Sequence, residues 1–234
     1  MKCEVIFALD VETRERGYEI LSRMEGSLRW VKVGLQLFTR YGPGIVRELG
    51  GKGYSVFLDL KLHDIPNTVA SSIQSIGSLP VEMLTIHTSG GREMMIRAEE
   101  ARRIHAPHLR LLGVTVLTSM DAEALRETGV ESTPEKQVRK LAELARHAGL
   151  SGLVCSPLET SLLRRELGPD LTLVTPGIRP KGTSSDEQKR ILTPEQARDA
   201  GSDFIVIGRP LLQAEDPGAL LRKIQRDIQP PTGS

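Results

Sequence analysis

The chain predicts a single-domain α/β fold, a (β/α)8 barrel. Short β-rich runs alternate with amphipathic stretches along its length, the pattern of a parallel sheet with helical crossovers. The alternation passes through eight strands in 234 residues, a length at which such barrels close without a second domain. The turn after the first strand, Leu9-Asp10-Val11-Glu12, also lacks the G-x-G-x-x-G of an open dinucleotide-binding sheet.

The first strand covers Glu4–Leu9 and leads into an amphipathic helix over Val11–Met24. Trp30–Gly34 is the second strand, followed by a helix over Gln36–Leu49. The cluster Gly50-Gly51-Lys52-Gly53 precedes a strand, so it reads as a turn and not as a phosphate loop. The third strand, Tyr54–Asp59, begins as the apolar run Tyr54-Ser55-Val56-Phe57-Leu58, and Pro66 opens the helix after it. Val81–His87 and the helix Gly91–Ile104 form the fourth unit, Arg110–Val116 and the helix Pro134–His147 the fifth. Gly152–Cys155, Leu171–Val174 and Asp203–Ile207 complete the strands, with a helix over Pro194–Ala200 before the last. Two segments read as loose: Ile178–Leu192, rich in Gly, Ser and charge, and the tail Gln229–Ser234. The barrel domain is therefore expected over 1–228.

Composition excludes several classes of function. Hydrophobic residues are 39% of the chain but aromatics only 3%, so the core must be aliphatic. The 31 basic and 30 acidic residues are intermixed at net charge +1, which argues against nucleic acid as a partner. No apolar run approaches the ~18 residues of a membrane span, and the N-terminus shows no signal-peptide pattern. Cys3 and Cys155 lie in separate apolar strands, which suits two buried thiols in a reducing cytoplasm.

The run Asp59-Leu60-Lys61-Leu62-His63-Asp64-Ile65-Pro66-Asn67-Thr68 is the most informative of the chain. It leaves a buried strand and then carries three charges in six residues. Side chains two apart share a strand face, so Asp59 and Lys61 are expected on one side at the strand's C-terminal end. Burying an acid beside an amine is costly unless they pair, and perturbed pairs of this kind mark chemistry. In a barrel, chemistry sits at those C-terminal ends. Polar residues gather there on other strands too: Asp10, Lys32 in Val31-Lys32-Val33-Gly34, Thr115 with Thr118-Ser119, Thr175-Pro176-Gly177-Ile178-Arg179, and Gly208-Arg209-Pro210.

Taken together, these pieces resemble the orotidine 5′-phosphate decarboxylase family from end to end. The matching elements are Ala8-Leu9-Asp10, Lys32-Val33-Gly34, Asp59-x-Lys61-x-x-Asp64-Ile65-Pro66-x-Thr68, Leu117-Thr118-Ser119, Thr175 to Pro180, Asp186-x-Gln188-x-Arg190 and Ile207-Gly208-Arg209-Pro210, in the expected order. The Asp-x-Lys-x-x-Asp element is shared with sugar-phosphate relatives, so the complete set carries the specificity.

The resemblance implies loss of CO2 from orotidine 5′-monophosphate to give uridine 5′-monophosphate, in pyrimidine biosynthesis, with neither metal nor organic cofactor. The difficulty is a carbanion developing at C6 of the pyrimidine. Lys61 would stabilise it as a cation and then protonate it, with Asp59 holding Lys61 beside the departing carboxylate. Lys32 and Asp64 would complete the catalytic charge array, and Asp10 and Lys32 would touch the ribose hydroxyls. The resemblance places the whole run from Asp59 to Thr68 at the substrate, including Leu60, Leu62, His63, Pro66 and Asn67. Asp64, Ile65 and Thr68 would reach the neighbouring subunit's site in a homodimer. Thr118 would bond the pyrimidine, with Pro176 against it, and Arg179, Gln188, Gly208 and Arg209 would hold the 5′-phosphate. The 178–192 segment would close over that phosphate.

Taken singly, most of these residues have plainer roles. Asp59 and Lys61 alone suit a structural ion pair, Lys32 a snorkelling lysine and Arg209 a cap for the turn after it. His63 suits a packed or solvent-facing histidine; His87 lies near the site by position only. His105, His108 and His147 show no ligand spacing. Two other functions compete. A metal-dependent sugar-phosphate lyase would want an acid near position 32, where Lys32 would repel Mg²⁺. A non-catalytic nucleotide-binding barrel would have no need of the Asp59, Lys61 and Asp64 set.

Overall fold

The computed structural model describes residues 3–180 and 191–230, and in it eight parallel strands close into a barrel in chain order. β1 (Glu4–Ala8) is followed by α1 (Arg14–Ser22), whose N-terminus is capped by the Thr13 hydroxyl. β2 (Trp30–Gly34) is followed by two helices, α2 (Leu35–Tyr41) and α3 (Pro43–Gly51). The single helix expected over Gln36–Leu49 is thus divided. Gly42 turns to φ 58°, and Pro43, with no N–H to donate, starts a new helix.

β3 (Ser55–Leu62) leads into α4 (Pro66–Ile76), opened by Pro66 as expected. β4 (Val81–His87) precedes α5 (Gly91–His105), and β5 (Arg110–Val114) precedes α6 (Ala122–Glu127) and α7 (Pro134–His147). β6 (Gly152–Val154) and α8 (Pro157–Leu167) come next, then β7 (Thr172–Thr175) and α9 (Pro194–Asp199), the latter held by a Thr193–Gln196 capping box. β8 (Phe204–Ile207) closes on β1 and is followed by α10 (Arg209–Leu212) and α11 (Pro217–Asp227). The tail expected from residue 229 falls largely outside the described residues, as do residues 181–190 of the loose 178–192 segment. The two ends of that segment are tied together, the Arg179 N–H donating to the Leu192 carbonyl at 2.9 Å.

Two apolar layers form the interior. Odd-numbered residues of the first strands, among them Phe7, Val31 and Val33, face the helices and join a continuous aliphatic shell. Even-numbered ones point inward: Ile6, Ala8, Trp30, Leu112, Val174, Phe204 and Val206, joined by Phe57 and Met83, fill the barrel. Each such side chain contributes about 1.5–3 kcal/mol on full burial. Trp30 and Phe204 meet edge-on at the floor, 5.2 Å between ring centroids, with the Arg110 guanidinium stacked over both. Cys3 and Cys155 are both buried and neither is in a disulfide. Burial, with Asp203 nearby, pushes the Cys3 thiol up to about 12, so it is inert. Among the described residues no helix is long and apolar enough to cross a membrane.

Candidate active site

The inward register that fills the barrel also builds the site. One inward step above Ala8 is Asp10, above Trp30 is Lys32, above Phe57 is Asp59, above Met83 is Thr85 and above Val206 is Gly208. These positions ring the C-terminal mouth, and all but the buried Thr85 line a cavity of about 540 Å³. Ala8, Phe57 and Val206 form its floor; Asp10, Lys32, Asp59, Lys61, Thr118, Pro176, Arg179, Gly208 and Arg209 line its walls.

Four of these side chains form a continuous line of alternating charge. The Lys32 Nζ lies 3.1 Å from Asp10 Oδ1 and 3.5 Å from Asp59 Oδ2. The Lys61 Nζ donates to both Asp59 oxygens at 2.9 Å. Gly34 makes room for the first pair: a Cβ there would sit 3.0 Å from Lys32 Nζ and 3.1 Å from Asp10 Oδ1. The Asp59 and Lys32 side chains are 12% and 11% exposed, against 29% for Lys61 and 49% for Asp10, so charge is buried at the centre and open at both ends.

Burial alone would raise the pKa of Asp59, but Lys32 and Lys61, with hydrogen bonds from Lys61 and Thr85, hold it below the usual carboxylate range. Burial likewise opposes the charge on Lys32, and Asp59 and Asp10 outweigh it, holding its pKa above that of an ordinary lysine. The stability from Asp59 ionisation is therefore full above the ordinary carboxylate range and lost as pH falls through its lowered pKa. That from Lys32 is full below the ordinary lysine range and lost as pH rises through its raised pKa. The buried Asp59–Lys32 pair at the centre of the array is therefore charged across neutral pH.

Asp59 and Lys61 meet, but not by simple strand alternation. Leu58 pairs with Leu84 and Leu62 with Ile86, so β3 spends three residues, 59–61, where β4 spends only Thr85. Within this bulge Lys61 takes φ 51°, the left-handed region that non-glycine residues rarely adopt. Thr85, fully buried, fills the gap: its Oγ1 accepts from the Lys61 N–H at 2.8 Å and donates to Asp59 Oδ1 at 2.9 Å. Thr85 carries no signal of its own in the sequence, since a threonine in Met83-Leu84-Thr85-Ile86 passes for an ordinary β-branched strand residue.

Apart from Asp59 and Lys61, the 59–68 run does not reach this cavity. Leu60 and Leu62 pack on the aliphatic shell, because the strand turns them outward. His63, Asp64, Ile65, Asn67 and Thr68 are exposed, Ile65 at 67%, and Pro66 is half-buried as the first residue of α4. The Asp64 carboxylate accepts from the Ile65 N–H at 2.7 Å and does not join the charge array of its own chain. His63 and His87 stack obliquely, 5.5 Å between rings, and burial, then His63 and Lys61, lower the His87 pKa. Gln188 lies outside the described residues.

The sequence model of the "Orotidine 5'-phosphate decarboxylase / HUMPS family" matches residues 4–224. The chain belongs to this family. Among its relatives, an orotidine 5′-phosphate decarboxylase of Opitutus terrae is 53% identical over 229 residues, 98% of this chain and 100% of the relative. One from Nitrosospira multiformis is 47% identical over 225 residues, 96% of this chain and 93% of the relative. The crystal structure of the orotidine 5′-phosphate decarboxylase from Lactobacillus acidophilus superimposes with a TM-score of 0.87 at 38% identity, covering 97% and 99% of the two chains. The mouth formed by β1–β3 carries the charged array, and the segments after β7 and β8 bring Arg179 and Arg209 to the same cavity.

Proposed function

We propose that this chain removes CO2 from orotidine 5′-monophosphate, leaving uridine 5′-monophosphate, as a step of pyrimidine biosynthesis. The observation that carries this beyond family membership is the Asp10–Lys32–Asp59–Lys61 array at the cavity wall. Asp59, itself paired with Lys32, holds the Lys61 ammonium where a pyrimidine C6 can lie beside it. As the C6–carboxylate bond breaks, its electron pair stays on C6, facing that ammonium at the cavity wall. Lys61 then gives its proton to C6 and is reprotonated from water. Fixing Lys61 in advance removes the reorganisation that a mobile amine would require.

Arg179, Gly208 and Arg209 line the cavity after β7 and β8 and suit the 5′-phosphate; Gln188 would join them, and the 178–192 segment would close over the phosphate. Thr118 and Pro176 suit the base, and Asp10 with Lys32 the ribose. Arg209→Ala is expected to raise KM about 10- to 100-fold, the cost of a lost charged hydrogen bond, and to lower kcat as well where phosphate contacts drive closure. Steady-state kinetics on the variant check this.

No cofactor is called for. Each array carboxylate already holds an ammonium, and a divalent cation placed among them would meet Lys32 and Lys61. The decrease in orotidine monophosphate absorbance should proceed at the same rate with and without excess EDTA. Activity lost on chelation and restored by Mg²⁺ would instead favour a metal-dependent lyase on the same barrel. We further infer a cytoplasmic homodimer whose sites borrow Asp64, Ile65 and Thr68 from the neighbour, since these residues are exposed and turned from their own cavity.

A further inference from the structure

We propose that Thr85 is a positioning residue for the decarboxylation, one that sets Lys61 and Asp59 in place through a single hydroxyl without touching substrate. The proposal rests on the decarboxylase assignment for its kinetic part only.

The geometry assigns this role. Thr85 stands alone on β4 opposite the three residues of the β3 bulge, Asp59, Leu60 and Lys61. The bulge removes the regular ladder there, so the Lys61 N–H needs another acceptor, and the Thr85 Oγ1 supplies it at 2.8 Å. A hydroxyl has one proton, and here it is directed to Asp59 Oδ1 at 2.9 Å. One atom thus fixes both the unusual backbone of the lysine, φ 51°, and the carboxylate that holds its ammonium. Thr85 is wholly buried and does not line the cavity, so it bonds neither solvent nor ligand. A purely structural threonine at this strand position would need its methyl group and not its hydroxyl.

Three substitutions separate the two groups. Thr85→Val keeps the shape and loses the hydroxyl; Thr85→Ser keeps the hydroxyl and loses the methyl; Thr85→Ala loses both. The expectation is that kcat falls about 10- to 100-fold in the valine and alanine variants, with KM little changed, while serine stays within a few-fold of the parent. The acid limb of kcat/KM should also move to higher pH without the hydroxyl. Asp59 then loses one of the groups that stabilise its charge, keeping Lys32 from β2 and Lys61 from its own strand, with His87 of β4 also within electrostatic reach.

A third measurement does not depend on turnover. Amide hydrogen exchange at Lys61 should be slow in the parent and serine proteins and faster in the valine and alanine ones. Should valine not fold, the serine–alanine pair differs only in the hydroxyl and decides the matter. Equal kcat in serine and alanine variants, or Lys61 exchange unchanged on losing the hydroxyl, would overturn the proposal. A parent protein inactive on orotidine monophosphate would defeat the decarboxylase assignment, and Lys61 exchange would still test the role of Thr85.

Discussion

Lys61→Ala is expected to lower kcat by ~10⁴-fold or more, since one side chain is assigned both the charge stabilisation and the proton delivery. The loss should fall on kcat and kcat/KM alike, the mark of an interaction made in the transition state. The barrel should survive the change. Asp59 keeps Lys32 as a partner at 3.5 Å and the Thr85 hydroxyl at 2.9 Å, so no buried carboxylate is stranded. The cavity lining after β7 and β8, with Arg179, Gly208 and Arg209, is untouched, and uridine monophosphate should still bind measurably by calorimetry. Turnover near the parent rate in Lys61→Ala would remove the lysine from the chemistry.

The second large effect is a recovery of activity from two dead proteins. Asp64 is exposed and turned from its own cavity, so Asp64→Ala should be inactive only if the carboxylate serves a neighbour. Each site would then need Lys61 of one subunit and Asp64 of the other. In a mixed dimer of Lys61→Ala and Asp64→Ala chains, one site lacks both groups and the other has both. Random reassortment makes about half the dimers mixed with half their sites intact, so about a quarter of parental activity should return by the symmetry of an isologous pair. Native mass spectrometry counts the mixed dimers. Mixed dimers as inactive as their parents would return Asp64 to its own subunit or remove it from the site.

Much of this molecule is legible in its sequence. All eight strands are, because each is a compact apolar run bounded by polar or glycine-rich turns. Asp10, Lys32, Asp59, Thr118 and Arg209 are legible as a group because strand tops in a barrel must converge, whatever surrounds them. Helix boundaries are less so: α6, α8, α10 and α11 are not singled out, and the division at Gly42 needs knowledge of which glycine bends. Least legible is the local shape of β3. Nothing about a lysine signals a left-handed backbone, and nothing about Thr85 in an apolar strand signals that its hydroxyl is spoken for. Where Asp64 acts lies beyond a single chain, since its partners belong to an assembly.

The conformation of Lys61 has an evolutionary consequence. A non-glycine residue in the left-handed region gives up about 1–2 kcal/mol that glycine there would keep. Position 61 is therefore one where a mutant chosen for hardiness and one chosen for turnover part ways. A lineage that obtained its pyrimidines from outside would be free to relax this backbone with glycine or asparagine as it lost the reaction. A lineage that makes its own must carry that small instability at every generation.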